Sequence, residues 1–280
     1  AEWLAAGRAG EMHYLHRSLE LRQSVESVLP GAKSVVMVGL NYAPPPGETQ
    51  DDPRIARYAR GRDYHRVIRR RLRPVANWIE RQYGGQTRIA TDSAPLLERD
   101  LAHRAGLGWF GKNTMLINSH RGSWFLLGCL LTTTEFAPDE PALGGCGTCT
   151  RCIEACPTGA IIHADGRWQV DARACISYLT IELRGDLPPE TNTHGWTFGC
   201  DVCQEVCPFN QPRPHQPLRA RPSTVPEMKE RRPWPTNTEL AEIEESIWDR
   251  LTQGSAVRRA GWEGLKRNAR LALGRERQSP

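Results

Sequence analysis

Eight of the nine cysteines of this 280-residue chain lie between Cys146 and Cys207, and no other feature restricts the fold as strongly. Cys146, Cys149, Cys152 and Cys156 stand in the run CGTCTRCIEACP, Cys200, Cys203 and Cys207 in the run CDVCQEVCP, and Cys175 lies between them. Three thiols two residues apart share a tight loop and point toward one centre. A fourth, pushed on by a short helical turn, points away to another, and the proline that follows Cys156 and Cys207 ends that turn. Such a segment is organised around what its thiolates bind, so little regular structure is expected in it.

The first run is the CxxCxxCxxxCP pattern of bacterial two-cluster ferredoxins, in which the fourth cysteine ligates the other cluster. Eight thiolates make two four-ligand 4Fe-4S cubes. The second run lacks one leading cysteine, and Cys175 is the unassigned donor within the segment. The ligand sets expected are therefore Cys146, Cys149, Cys152 and Cys207 for one cluster, and Cys156, Cys175, Cys200 and Cys203 for the other. Two structural zinc sites or a disulfide framework are the alternatives. Zinc suits paired CxxC knuckles better than this run, and no secretory signal accompanies the cysteines. Cys129, in the apolar run Trp124 to Leu131, is expected to be a buried small hydrophobe.

Composition is that of an intracellular globular enzyme, with 39% hydrophobic and 25% charged residues. No apolar stretch approaches the roughly 20 residues that span a bilayer. A net charge of +5 permits a polyanionic partner without requiring one. The chain opens with Ala, inside a helix-like stretch AEWLAAGRAGEMHYLHRSLELRQ, so a more N-terminal segment is expected to precede it.

Three parts are expected. Residues 1–140 alternate helix-like and strand-like stretches, as an α/β domain does; residues 141–215 hold the cysteines; residues 216–280 form a proline-rich linker and a helical tail. VVMVGL within Lys33 to Tyr42 reads as a strand buried on both faces. His65 to Tyr83 reads as an amphipathic, arginine-rich helix with Pro74 as a kink or boundary. Arg88 to Thr91 leads into Asp92, and a helix follows at Leu96 to Arg104. MLIN and SWFLLGCLLTT are strands flanking the turn at 119–122, and EIEESIWDRL and GLKRNARLALG are C-terminal helices.

A ferredoxin module moves single electrons, so the larger domain fused to it implies a second redox centre or a substrate. No GxGxxG follows a strand and no GxxxxGK[ST], HExxH or GxSxG occurs, which leaves nucleotide-binding, zincin and serine-hydrolase readings without support. GRDYH, DSAPLLER, AGLGWFGKN, GCGTCTRCIEACPTGAI, CISYLTIELRG and FGCDVCQEVCPFN, in this order and spacing, closely resemble the epoxyqueuosine reductase family over essentially the whole chain.

The resemblance implies a cobalamin-binding α/β domain with a ferredoxin-like two-cluster iron–sulfur module and a C-terminal helical tail. It implies a cytoplasmic monomer, related to reductive dehalogenases, that removes the epoxide oxygen of epoxyqueuosine in the wobble position of tRNA with a GUN anticodon. Asp92 is then the general acid, which requires a carboxyl protonated at neutral pH. Read locally, Asp92 is a candidate helix N-cap, and Ser93 a better one. By the resemblance Arg22, Ala56, Leu116, Leu127, Ser177, Cys200 and Asp201 line the cobalamin beside Asp92. No DxHxxG motif offers a histidine as lower ligand, so His65 is expected to be substrate-side or structural.

A tRNA substrate requires phosphate contacts and a pocket for an extruded base. The candidates are Arg66, Arg69, Arg70, Arg71 and Arg73, and in the tail Arg258, Arg259, Lys266, Arg267 and Arg270, with Trp109, Trp124 and Tyr64 as stacking residues. A solvated helix face explains either basic run equally well. The strand and helix that family members carry before this point are expected to be missing, leaving a sheet edge, as are the C-terminal helical repeats of some members. A reductive dehalogenase acting on a small molecule, or a plain iron–sulfur electron carrier, are the competing readings. The electron donor is not legible.

Overall fold

The computed structural model describes the chain except residues 46, 49–51, 216–218, 220, 231–232 and 277–280. The N-terminal stretch is not one helix but two short ones, α1 (Glu2–Ala5) and α2 (His13–Arg17). Gly7 and Gly10 between them stand at φ +67° and +56°, left-handed backbone that ends helical continuation. There follow β1 (Ser34–Asn41), the short β2 (Arg54–Ile55) and α3 (Arg57–Arg60), then the long α4 (Tyr64–Tyr83), β3 (Thr87–Ala90) and α5 (Glu98–Arg104). The small strands β4 (Trp109–Phe110) and β5 (Leu116–Ile117) precede β6 (Phe125–Thr132).

β1, β6 and β3 form a sheet in the order β1-β6-β3, both pairs antiparallel, with Val36 opposite Leu130 and Ala90 opposite Cys129. The burial on both faces expected of β1 belongs instead to β6. β6 is central and its Cys129, Leu130 and Leu131 are fully buried, whereas β1 is an outer strand and mostly half-buried. Cys129 is a small hydrophobe of the core, as expected. MLIN and the start of SWFLLG touch only at the Asn118–Gly122 bridge, because β5 folds back on β4 while β6 joins the main sheet.

α4 covers one face of the sheet with Val67, Ile68, Leu72, Ala76 and Ile79, a spacing that keeps one helical stripe inward. Gly128 makes that approach close, since a Cβ there would stand 2.4 Å from the Ile68 methyl. Asp63 caps the start of α4 and Gly84, at φ +73°, closes its end. Pro74 neither breaks nor ends the helix. It lies on the exposed side, and the buried stripe offsets the roughly 3 kcal/mol that an interior proline costs. Leu96, Ala102, Val28 and Leu29 pack on the opposite face against Met37, Cys129 and Leu131.

The cysteine segment holds α6 (Arg151–Glu154), the hairpin β7 (Ile161–Ala164) and β8 (Arg167–Val170), α7 (Ile176–Ile181), β9 (Trp196–Phe198) and α8 (Val202–Glu205). Each cysteine run is a tight turn, a single helical turn and a Cys-Pro stop, as the spacing demands. The tail forms α9 (Asn237–Ala241), α10 (Glu245–Thr252) and α11 (Trp262–Glu276). β2 pairs in parallel with β9, and the buried Asn268 of α11 donates to the carbonyls of Thr180 (2.8 Å) and Thr197 (3.0 Å). The N-terminal residues join the same assembly: the Trp3 indole donates to Val170 O at 2.8 Å, and Ala172 N to Arg8 O at 2.9 Å.

Candidate active site

The eight thiols divide by proximity into two groups. Burial pushes Cys152 up to about 11, and Cys146, Cys207 and Cys149 around it push the same way. Cys207 is raised by burial and then by Cys146 and Cys149. Burial lifts Cys200 to about 12, with Cys175 and Cys156 adding to it, and Cys203 is raised by burial and by Cys200 and Cys175 before the more remote Cys152. Thiolates gathered this closely would repel one another, so the thiols keep their protons until iron displaces them. Among the described residues no three metal-binding side chains converge closely enough to hold a single ion; a cube offers four separate irons.

The AGLGWFGKN loop reaches into both groups. Lys112 N lies 3.5 Å from Cys146 Sγ, Lys112 Nζ donates to Cys149 O at 3.0 Å, and Asn113 donates to Cys203 O at 3.2 Å. Trp109 is buried against Cys146 and Cys207, and its indole N–H has no protein partner. A buried orphan donor beside Cys146 and Cys207 is what a cluster with acceptor sulfurs would satisfy.

The polar centre lies where β3 ends. Asp92 stands at φ +53°, and its N–H donates to Glu98 Oε1 at 2.6 Å. Its carboxylate is 3.4 Å from His65 Nε2, and the other ring nitrogen, Nδ1, is 2.7 Å from Asp63 Oδ1. Asp63 also takes the His65 N–H at 3.0 Å, so the cap of α4 fixes the imidazole from behind. The Tyr64 ring stacks on His65, and its hydroxyl bonds Asp92. Solvent reaches the Asp92 side chain, 68% exposed, although protein surrounds it on several sides.

This geometry reverses one expectation. The hydrogen bond from His65 holds the Asp92 carboxyl below its ordinary value, where a general acid was expected to be raised. His65 is raised to about 9 against its own desolvation, by hydrogen bonds to Asp63 and Asp92. Burial pushes Glu98 up to about 7. Nor does Asp92 or Ser93 cap α5, whose N-cap is Leu97; Ser93 bonds Thr91 O and Arg69 instead.

Around this centre stand the residues expected to line a corrin. Arg22 donates to Leu96 O at 3.1 Å and lies near Glu98, whose carboxyl it acts on. Leu116 and Leu127 belong to the same apolar cluster as Leu96. On the other side Ala56 N donates to Phe198 O at 2.8 Å, and Arg57 N to the buried Asp201 at 2.8 Å. Thr180 ties Gly199 N to the turn of Ile176 and Ser177. Tyr58 connects the two sides: Asp92 and Asp201 both raise its hydroxyl, after burial. These residues offer apolar side chains and backbone together with the Arg22 cation and the buried Asp201 carboxylate, a mixed set that suits a large cofactor with a flat ring face and polar amide edges.

Trp109 (5% exposed) and Trp124 (4%) are core residues and cannot stack on a base, while the half-buried Tyr64 faces the centre. Arg267 spends its guanidinium on the carbonyls of Leu179, Leu183 and Gly185. Arg259, paired with Glu182 at 2.8 Å, lies close enough to Asp92 to act on its charge. Arg66, Arg69, Arg70, Arg71 and Arg73 line the exposed face of α4, Arg70 and Arg71 bound to Glu227. Lys266 lies over the Trp262 ring, Arg258 pairs with Asp249, and Arg270 with Glu242 at 3.3 Å. Glu98, Tyr58 and Asp63 were not singled out from the sequence, although the motifs DSAPLLER, ARYARGRDYH and GRDYH contain them.

Two family models match: one described as epoxyqueuosine reductase QueG, DUF1730, over residues 22–93, the other as a 4Fe-4S double cluster binding domain over residues 145–210. An epoxyqueuosine reductase of Gloeobacter violaceus is 44% identical, the match covering 97% of this chain and 85% of that protein. The chain belongs to the epoxyqueuosine reductase family. A Vibrio cholerae epoxyqueuosine reductase is 41% identical over 99% of this chain and 76% of its own length. A crystal structure of epoxyqueuosine reductase with an epoxyqueuosine-modified tRNA-Tyr stem loop superposes with a TM-score of 0.73 at 33% identity, over 89% of this chain and 66% of that one. The Bacillus subtilis enzyme, in a structure with its catalytic aspartate loop swung out of the active site, gives 0.73 at 32% identity over 91% and 68%. The family uses cobalamin and two 4Fe-4S clusters.

Proposed function

We propose that this chain reduces epoxyqueuosine in the wobble position of tRNA to queuosine, with Asp92 as the group that passes a proton to the epoxide oxygen. The observation that carries the reading is the meeting, around Tyr58, of the Asp92–His65 pair with the loop of Cys200 and Asp201. A reducible substrate, a proton source and an iron–sulfur relay then share one cleft. No described helix is long and apolar enough to cross a membrane, and a tRNA substrate places the reaction in the cytoplasm.

Cobalamin, when bound and reduced, supplies a strong nucleophile or low-potential electrons. Arg22, Ala56, Leu116, Leu127, Ser177, Cys200 and Asp201 would hold it. The thiols of Cys156, Cys175, Cys200 and Cys203 would hold the cluster next to it, and Cys146, Cys149, Cys152 and Cys207 the other. The loop around Cys146 and Cys149 borders an open cavity of about 760 Å³ between Arg151 and Arg213, which suits electron delivery by an outside donor. Glu98 fixes the backbone of Asp92, and Tyr64 and His65 fix its carboxylate. The protein thereby orients the epoxide, excludes water on binding and moves protons.

Anaerobic reconstitution with iron, sulfide and cobalamin, followed by metal counting, tests the cofactor half of this reading. About eight irons and one retained cobalt per chain are expected from two four-iron clusters and one corrin. Eight irons with no cobalt retained would leave an electron carrier.

A further inference from the structure

Resting on that reading, we propose that His65, anchored by Asp63, is the proton-relay residue of the reaction, loading Asp92 for each of the two protons that the epoxide consumes. Removing an epoxide oxygen breaks two C–O bonds, forms one carbon–carbon double bond and releases water. The balance is two protons and two electrons, the electrons being what the iron–sulfur clusters and cobalamin would supply when bound. Asp92 has one carboxyl and the reaction consumes two protons, so a neighbouring group has to reload it.

The chain Asp63–His65–Asp92 is built for the transfer. Asp63 Oδ1 is bound by both the N–H and Nδ1 of His65, which fixes the ring and its tautomer. Nε2 lies 3.4 Å from Asp92 Oδ2. The proton on Nε2 moves to Asp92, Asp92 gives it to the epoxide oxygen, and the neutral ring, half-exposed, takes another from water for the second transfer. The groups facing the trio are Tyr58 from α3, Tyr64 and Arg66 from α4, Glu98 from α5, Arg22 and Tyr14 from the N-terminal turns, and the Arg259–Glu182 pair from the tail and the end of α7. Asp63 and Asp92 are the two that bond the ring, and both favour its charged form.

The test is the pH dependence of single turnover by the reconstituted enzyme on a tRNA stem loop carrying epoxyqueuosine, for the wild type, His65→Gln and Asp63→Asn. In the wild type the rate stays level through neutrality and falls as the pH passes about 9. In His65→Gln the proton must come from Asp92 at its ordinary pKa of about 3.9, so the rate falls tenfold per pH unit and is about a thousandfold down at pH 7. The apparent KM for the stem loop stays within a few-fold. In Asp63→Asn the alkaline limb moves toward about 6.5, the value of a free imidazole. A merely structural histidine would lower the rate without changing the shape of the profile, and an H65Q enzyme with the wild-type profile overturns the proposal.

Histidine NMR of the same enzyme without substrate is a readout independent of turnover. One imidazole titrating near 9, lost in His65→Gln and shifted down in Asp63→Asn, supports the relay; its absence overturns it. A wild type that fails to turn over the stem loop while showing that titration refutes the substrate assignment and leaves the relay standing.

Discussion

Asn210→Ala tests how the cluster module is seated on the sheet. Asn210, 5% exposed, accepts from Ser123 N at 2.7 Å and donates to Ser123 Oγ at 2.9 Å and Gln204 O at 2.8 Å. Ser123 Oγ in turn donates to Gln204 Oε1 at 3.0 Å, and Gln204 Nε2 reaches the buried Tyr42 hydroxyl at 3.0 Å. This network joins the turn between Cys203 and Cys207 to the strand that begins at Phe125. Truncation leaves the Ser123 N–H buried and unpaired, while the Gln204 carbonyl keeps its bond from Cys207 N at 3.2 Å. At about 1–3 kcal/mol for one orphan, the loss is a noticeable share of the usual 5–15 kcal/mol. At roughly 2–4 °C per kcal/mol, the melting temperature falls by about 2–12 °C. Thermal unfolding of the cluster-loaded protein, followed by circular dichroism and by cluster absorbance, measures it. Asn210→Asp, which keeps the acceptor and loses the donors, should lie between. A loss below about 0.5 kcal/mol, the size of a surface substitution, would refute the seating role.

Glu98 is raised by burial from 4.5 to about 7, so the folded state binds its proton more tightly, and its contribution to stability declines as pH rises through that window. Glu98→Gln should flatten the fall of melting temperature between those pH values; an unchanged slope would show that Glu98 titrates normally. Cys129, fully buried and pushed up to about 12, should resist alkylation in the folded protein after iron is chelated away, while the partly exposed Cys146, Cys149 and Cys156 react. Labelling at Cys129 with native-like kinetics would contradict its place in the core. Cys175→Ala should cost one cluster and leave the other, read as about half the iron and one surviving electron-paramagnetic signal; full iron retention would remove Cys175 from the ligand set.

What the sequence made legible is what short-range spacing decides. The cysteine runs, each with a tight turn, one helical turn and a proline stop, dictate their own local geometry. α4 was legible from its single apolar stripe, which also explains why Pro74 does not break it: the proline lies off the stripe. Long-range pairing was not legible. VVMVGL in β1 and FLLGCLLT in β6 are equally apolar, and only the order β1-β6-β3 decides that β6 is central. The N-terminal helix failed because Gly7 and Gly10 outweigh the helix formers around them. At the site, Asp92 and His65 lie 27 positions apart in sequence, and the state of the carboxyl depends on a contact that no local pattern encodes. Glu98 was overlooked because a glutamate in the first turn of a helix is ordinary; the hydrogen bond it receives from Asp92 N is not.

The measurement that bears most directly on the central claim is mass spectrometry of an epoxyqueuosine-bearing tRNA stem loop after anaerobic incubation with the reconstituted protein and a chemical reductant. The account predicts loss of one oxygen from the modified base with the wild type and an intact epoxide with Asp92→Asn, at equal iron and cobalt content. An unchanged base with the fully loaded wild type, or equal turnover by Asp92→Asn, would contradict it.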